Sequence, residues 1–402
     1  MSKRVILITN TAPFYGEVFL QNELNWIPRE QEVILFPILA EDLHRENTAS
    51  PNIRVVTDAC NPGMWDKLLA VVHGIAAPVI HKDMKDIFSA RQPLRNLLKA
   101  VKFAAVAQSR VLAIRRWLRR NCPGESFVFY SYWLYEAGYA AAQLKKMFPG
   151  SSFVSRCHGY DLYKQRHANG YMPLRHYLLT MADRIWPVSQ NGAAYLQAEY
   201  PFETVGKVRV MRLGTADHGV SNPQTADRIT LVSCSNLVDV KRVNKIIEAL
   251  ALLEKPAVWH HFGDGPLMEK LRQQANGLPD HIRWIFHGNV PNQQLMEFYG
   301  NNHVDCFLNV SASEGIPVSV MEAMSFGIPV IATDVGGTAE LVAHNENGFL
   351  LEADFRAETL VEKILQLGPE HDRFGKNGRT RWEQLCCAET NYHQFYAAIK
   401  QL

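Results

Sequence analysis

Residues 311–329 read Ser311-Ala-Ser-Glu314-Gly-Ile-Pro317-Val-Ser-Val-Met-Glu322-Ala-Met-Ser-Phe-Gly327-Ile-Pro329. The apolar run Val304–Val310 before this stretch reads as a buried strand. Gly315 and Pro317 mark a tight turn and the first turn of a helix. Gly327 and Pro329 end that helix, and Val330–Ala332 opens the next strand. Glu314 is therefore expected at the carboxyl end of a strand and Glu322 within the helix that follows. In an open α/β sheet, ligands bind at such strand ends. Two carboxylates suit the hydroxyls of a sugar, because an ionised carboxylate only accepts hydrogen bonds. A helix start suits phosphate. A ligand needing both is a nucleotide-linked sugar. The blander reading makes Glu314 a helix-capping acid and Glu322 a solvated surface residue. Val320, Met321, Ala323 and Met324 around Glu322 are poor company for a solvated face.

Working outward, strand and helix patterns alternate almost throughout, which predicts parallel sheets covered by helices. The first half offers strands at Val5–Thr9, Glu32–Phe36, Arg54–Thr57, Phe127–Tyr130, Ser152–Cys157, Arg184–Val188 and Lys207–Met211. Residues 214–228 are polar and aperiodic and read as a linker. Strands resume at Ile229–Cys234, Val258–Phe262, Ile282–His287, Val304–Val310, Val330–Ala332 and Phe349–Leu351, with helices filling the gaps and a further one at Ala357–Leu367. The expected plan is an N-terminal Rossmann-like domain over 1–213, a linker over 214–228, a second such domain over 229–385, and a C-terminal helix over 386–402 that packs back on the first domain or stays with the second.

The 402 residues suffice for two domains, each with its own core. A formal net charge of +2 gives no argument for nucleic acid. Seven scattered cysteines without a Cys-x-x-Cys suggest neither a disulfide framework nor structural zinc, and a reducing cytoplasm fits best. Met1–Thr9 has an apolar run too short for a signal-peptide core. The longest apolar stretch, Leu68–Ile80, is interrupted by His73, Gly74 and Pro78 and cannot span a bilayer.

One helical region is basic. Eleven Lys or Arg lie between Lys82 and Arg120, against only Asp83 and Asp86. Such a helix can lie on anionic lipid at the inner face of a membrane. It can equally pack on a core with a solvated basic face, which is the commoner arrangement.

The Glu-x7-Glu pattern in its Glu-Gly-x-Pro setting resembles that of the family 4 retaining glycosyltransferases of the GT-B type. Further segments in order are similar to that family's motifs: Val154–Asp161 with His158, Leu231–Arg242 with Lys241, His261–Pro266 with Gly263 and Gly265, Phe286–Val290, and Asp334–Glu340. The resemblance is dense in the C-terminal half. In the N-terminal half it rests mainly on Ala12–Glu17 and His158. A narrower likeness is to bacterial capsule, exopolysaccharide and lipopolysaccharide transferases. One position departs: Asn236 stands where many members carry an Arg that helps bind the donor pyrophosphate. Lys241 with helix-start amides would then suffice, or Arg242 would substitute.

The resemblance implies two doubly wound domains facing each other across a cleft. It implies a retaining transfer of a sugar from a nucleotide-sugar, UDP first and GDP next, to a glycan or lipid-linked acceptor. The implied catalytic residues are His158, Glu314 and Lys241. The implied donor-binding residues are Gly16, Asn236, Lys241, Arg242, Gly263, Asn289, Val290, Glu314, Gly315, Ile316, Pro317, Val318 and Glu322. Glu17 and Asp161 are the acceptor candidates. No metal and no cofactor are expected, since no Asp-x-Asp is present to hold a metal–diphosphate pair. A front-face attack is implied, with Lys241 and helix dipoles carrying the leaving-group charge. A nicotinamide-dependent oxidoreductase is disfavoured, because Thr9–Gly16 lacks Gly-x-Gly-x-x-Gly. An epimerase or phosphorylase on the same fold suits the Glu314/Glu322 setting less well. A nucleotide- or glycan-binding protein without catalysis remains the alternative.

Overall fold

The computed structural model describes residues 3–10, 18–38, 51–57, 78–89, 91–220 and 228–402. The chain forms two compact units: residues 1–212 with 392–402, and residues 213–391.

Among its described residues, the first unit holds a six-stranded parallel sheet of β1 (Arg4–Thr9), β2 (Val33–Pro37), β3 (Ile53–Val55), β4 (Phe127–Ser131), β5 (Ser152–Cys157) and β6 (Arg184–Pro187). Its order is β3-β2-β1-β4-β5-β6. β2 and β4 are buried along their whole length, as strands covered on both faces must be. One layer of the core packs Ile6, Ile8, Phe127 and Phe129 against Ala104, Ala107, Val111 and Ile114 of the helix Pro93–Asn121. The other layer packs Val5, Leu7, Val128 and Tyr130 against Phe395, Tyr396 and Ile399 of the helix Ala388–Ile399.

That second layer encloses a charged pair. Arg156 and Glu23 are both fully buried, with Nε 3.2 Å from Oε2. The hydroxyls of Tyr130 and Tyr396 donate to Glu23 Oε1 at 2.9 and 3.3 Å. Arg156 also donates to the Met211 carbonyl at 2.8 Å, and its guanidinium lies 4.1 Å from the Phe395 ring centroid.

The second unit holds another six-stranded parallel sheet: β7 (Ile229–Cys234), β8 (Ala257–Phe262), β9 (Ile282–Gly288), β10 (Cys306–Asn309), β11 (Val330–Thr333) and β12 (Gly348–Leu351). Its order is β12-β11-β10-β7-β8-β9. In this sheet the order reverses at β7 and β10, and the crevice outside the carboxyl ends of those two strands is where a doubly wound sheet takes its ligands.

Three local readings differ from the structure. Lys207–Met211 is not a full strand. It runs beside β6 through a single parallel bridge, Ile185 to Val208, and Pro187 has no N–H with which to extend the ladder. The helix expected to end near Leu367 continues to Leu385 through Pro369, with its buried stripe carried on by Phe374, Gly378 and Trp382. Within the stretch read as a linker, Thr215 bridges Cys387 and accepts from Trp382 Nε1 at 2.7 Å, inside the second unit.

Candidate functional site

The site is built in the second unit, where the loops leaving β7 and β10 meet. After β10, the chain turns through Ser311–Pro317 into the helix Val318–Ser325. After β7, it forms a single helical turn at Asp239–Lys241. The two loops are tied by Ala312 N donating to Val240 O at 2.7 Å. This juxtaposition sets Lys241 Nζ 2.6 Å from Glu314 Oε1. Glu314 is 7% exposed, so its charge is largely withdrawn from water and the ammonium is its compensating partner.

A third loop supports the first from below. Gly336 has φ +57°, and a Cβ there would lie 1.9 Å from the Glu314 carbonyl oxygen. Gly337 N donates to Gly315 O at 2.9 Å. The Asp334–Gly337 turn thus presses against the backbone of Glu314 and Gly315, which only a residue without a side chain permits.

The helix Val318–Ser325 begins after Pro317, with no side-chain cap. Its first amides, Val318 and Ser319, have no intrahelical acceptor, as geometry requires, and they form part of a positive helix terminus. Four positions on, Glu322 is 5% exposed. Asn292 Nδ2 donates to its Oε1 at 2.8 Å. Burial pushes the Glu322 carboxyl up to about 7, against the opposing hydrogen bond from Asn292. The half-buried Cys234 at the end of β7 has its thiol pushed up to about 12, first by burial and then by Glu322.

On the neighbouring strands, two glycines close the far side. Gly263 N donates to Gly288 O at 2.8 Å. Gly263 has φ +133°, and a Cβ there would lie 2.0 Å from Ser235 O. His261 fixes that approach: Nε2 lies 3.2 Å from Ser235 O, and Nδ1 lies 2.8 Å from Ser233 Oγ. A carbonyl accepts only, so Nε2 carries the proton and Nδ1 accepts from the serine. Burial pushes this imidazole down to about 4, which keeps it neutral. Asn289 is exposed and Val290 half-buried, directly after Gly288.

Among the expected donor residues, Lys241, Gly315, Ile316, Pro317, Val318, Glu314 and Glu322 therefore gather around one helix start. Asn236 is exposed on the loop after β7, its carbonyl accepting from Val238 N. Arg242 does not serve as a substitute cation. Its Nε donates to Val310 O at 2.8 Å, Nη1 to Ala353 O at 2.6 Å and Nη2 to Ser311 O at 3.1 Å. With φ +48° it leaves the Lys241 turn in a left-handed conformation and clamps the exit of β10.

In the first unit, His158 follows β5 and is 8% exposed. Its ring packs against Trp133 and Tyr132, with centroids 4.4 and 4.9 Å away. Asp161 does not fit an acceptor-binding role. It is fully buried, with Oδ1 accepting from His158 N and Oδ2 from Leu134 N, both at 2.8 Å. Burial alone would raise its pKa, but the hydrogen bonds and charge of His158 hold it below the usual carboxylate value. Asp161 thus shapes the loop that carries His158. Gly16 and Glu17 lie outside the described residues. Ser189 caps the helix Gln190–Glu199, accepting from Gly192 N at 3.0 Å.

Sequence reasoning missed Asn292, the partner of Glu322. An Asn directly after Pro291 at a helix start was the available signal. It also gave Gly336 no specific task.

The family model described as "Glycosyl transferases group 1" matches residues 218–381. The chain is 29% identical over 238 residues to a putative colanic acid biosynthesis glycosyltransferase, WcaL, of Escherichia coli K12, covering 55% of this chain and 57% of that one. It is 32% identical over 150 residues to a putative teichuronic acid biosynthesis glycosyltransferase, TuaC, of Bacillus subtilis, covering 37% of this chain and 35% of that one. The chain thus spans about half the length, or less, of these curated relatives. Among solved structures, a sucrose-phosphate synthase of Thermosynechococcus elongatus superposes with a TM-score of 0.72 at 18% identity, over 99% of each chain. Anabaena HepE in complex with UDP superposes at 0.67 and 17%, covering 99% of this chain and 100% of that one. These likenesses show the fold, two Rossmann-like units of the GT-B class.

Proposed function

We propose that this chain is a retaining glycosyltransferase. It would move a sugar from a nucleotide-sugar, UDP first and GDP next, to a glycan or lipid-linked glycan in the synthesis of a bacterial surface polysaccharide. One observation carries the reading: Lys241 and Glu314 are paired at 2.6 Å beside a helix start, with Glu322 buried one turn into the same helix. The relatives named for colanic and teichuronic acid synthesis support the polysaccharide setting. HepE, solved with UDP, supports a uridine donor.

In this reading, the donor diphosphate lies against Lys241 and the amides of Val318 and Ser319. Breaking the sugar–phosphate bond moves an electron pair onto the diphosphate, and these groups stabilise that charge. Glu322 accepts from the ribose hydroxyls and Glu314 from the donor sugar. The attacking hydroxyl approaches the face the diphosphate leaves, and its proton passes to a phosphate oxygen. Configuration is thereby kept without a carboxylate nucleophile. In this reading the transfer asks for no metal, and the enzyme works in the cytoplasm.

The test is a transfer and hydrolysis assay over UDP-, GDP- and ADP-sugars, with the anomeric configuration of the product read by NMR. Turnover with retention supports the proposal, and an inverted product would refute the front-face mechanism. A second reading is favoured by Asn236 and by the commitment of Arg242 to three carbonyls: a nucleotide-binding protein whose pyrophosphate grip is too weak for catalysis. Tight nucleotide binding without turnover on any donor would favour it.

A further inference from the structure

We infer that the corner formed by the helices Pro78–Ser89 and Pro93–Asn121 is a membrane-docking surface that seats on an anionic lipid bilayer. The inference goes beyond the transferase reading and does not depend on it.

A basic helix packed on a core should expose charge and bury its apolar side chains. Here three large apolar side chains stand in solvent instead: Leu94 is 75% exposed, Leu98 71% and Phe88 58%. Leu94, Leu98, Lys102 and Val106 follow one another at intervals of four, so they form one stripe along the helix. All four are exposed, while Asn96, Ala100, Phe103 and Ala107 turn to the core.

The charges beside the stripe have one sign. Lys85, Arg91, Arg95 and Lys102 are exposed. The two acids of the region are engaged elsewhere. Asp83 is buried, accepting from Leu174 N at 2.9 Å and from the Tyr171 hydroxyl. Asp86 lies 3.2 Å from His176 Nε2. Lys99 also turns inward, donating to Tyr171 O at 2.9 Å. The inner side of the corner is therefore fixed by polar contacts, and the outer side is apolar and cationic without an exposed acid among its described residues.

Isolated exposed leucines need no explanation, but a continuous apolar stripe rimmed by cations does. An interfacial helix has this composition: apolar side chains enter the acyl boundary while Lys and Arg meet lipid phosphates. No helix among the described residues is long and apolar enough to cross a membrane, so the contact is one of lying on the surface. An acidic protein surface or a second copy of this chain would match only part of the pattern. A second copy would bring like charges together.

The test is co-sedimentation of the full chain with phosphatidylcholine vesicles, with and without phosphatidylglycerol. Binding is expected only with the anionic lipid, and high salt should weaken it. Leu94→Gln with Leu98→Gln should reduce binding at least about tenfold. Arg95→Gln with Lys102→Gln should reduce it about fivefold per cation removed. All four side chains are exposed, so melting temperatures should stay near the wild-type value. As a reporter that leaves the stripe intact, Phe88→Trp should be quenched by brominated lipid. Equal binding to both vesicle types, no binding to either, or an unquenched reporter overturns the inference. Concentration-dependent dimerisation lost in the Leu94/Leu98 double variant, without vesicle binding, would assign the face to a second copy and overturn it too. Because none of these measurements needs a donor, their failure is separable from failure of the transferase reading.

Discussion

Gly336 and Glu314 are in backbone contact: a Cβ on Gly336 would sit 1.9 Å from the Glu314 carbonyl oxygen. The turn after β11 therefore sets the height of the turn after β10. Gly336→Ala meets both this clash and a left-handed φ of +57°. We expect a loss of about 3 kcal/mol in stability, read by denaturant unfolding. Where the variant remains folded, affinity for the nucleotide-sugar should fall as well, because the displaced group is the backbone that carries Glu314.

Lys241 should matter for the diphosphate and not for the nucleoside. A hydrogen bond to a charged group contributes about 1.5–3 kcal/mol. Lys241→Met should thus weaken UDP or GDP about 10- to 100-fold and leave uridine or guanosine affinity unchanged, by calorimetry. The substitution also strands the Glu314 carboxylate. Adding Glu314→Gln should restore stability without restoring diphosphate affinity. Equal losses for nucleoside and diphosphate would remove Lys241 from its phosphate role.

Glu322 gives the site a pH dependence of known sign. Its carboxyl is raised from an ordinary 4.5 to about 7 by burial, so the folded protein holds the proton that the unfolded chain releases. Its contribution to stability is full below about pH 4.5 and is lost as pH rises through about 7. Wild type minus Glu322→Gln, measured from pH 5 to about 8, should show stability declining by up to about 3 kcal/mol. Nucleoside affinity should run the other way, rising through about pH 7 as the carboxylate forms, and Glu322→Gln should flatten that rise. Using nucleosides keeps phosphate titration out of the measurement.

In the first unit, Arg156→Met leaves Glu23 buried without its cation. Breaking one side of such a pair costs about 3–5 kcal/mol. Replacing both partners, with Glu23→Met added, should recover much of that loss. Thermal unfolding of the single and double variants reads the difference.

Much of this architecture was legible because strands buried on both faces carry unbroken apolar runs, as in Phe127–Tyr130 and Val330–Ala332. The Glu314–Glu322 spacing located the helix start for the same reason: Gly315, Pro317 and Gly327 punctuate it. The length of the helix that ends at Leu385 was not legible, because Pro369 is a local stop signal that the packing of Phe374 and Trp382 overrides. The commitment of Arg242 was hidden too. Its acceptors are carbonyls at positions 310, 311 and 353, and a carbonyl leaves no mark in a sequence. Asp161 was misjudged because burial decides whether an acid meets a ligand or a backbone amide, and spacing does not report burial.

Residues 392–402 complete the first unit, although the whole of 213–391 intervenes. On the ribosome, the second sheet can therefore close while the Arg156–Glu23 chamber still lacks Tyr396 and Phe395. Until that helix emerges, Tyr130 and Trp186 are left without the Phe395 ring that lies 5.1 and 4.9 Å from them in the finished protein. The nascent first unit thus stays unsealed while all of 213–391 is made, and that interval is its time of greatest vulnerability to aggregation.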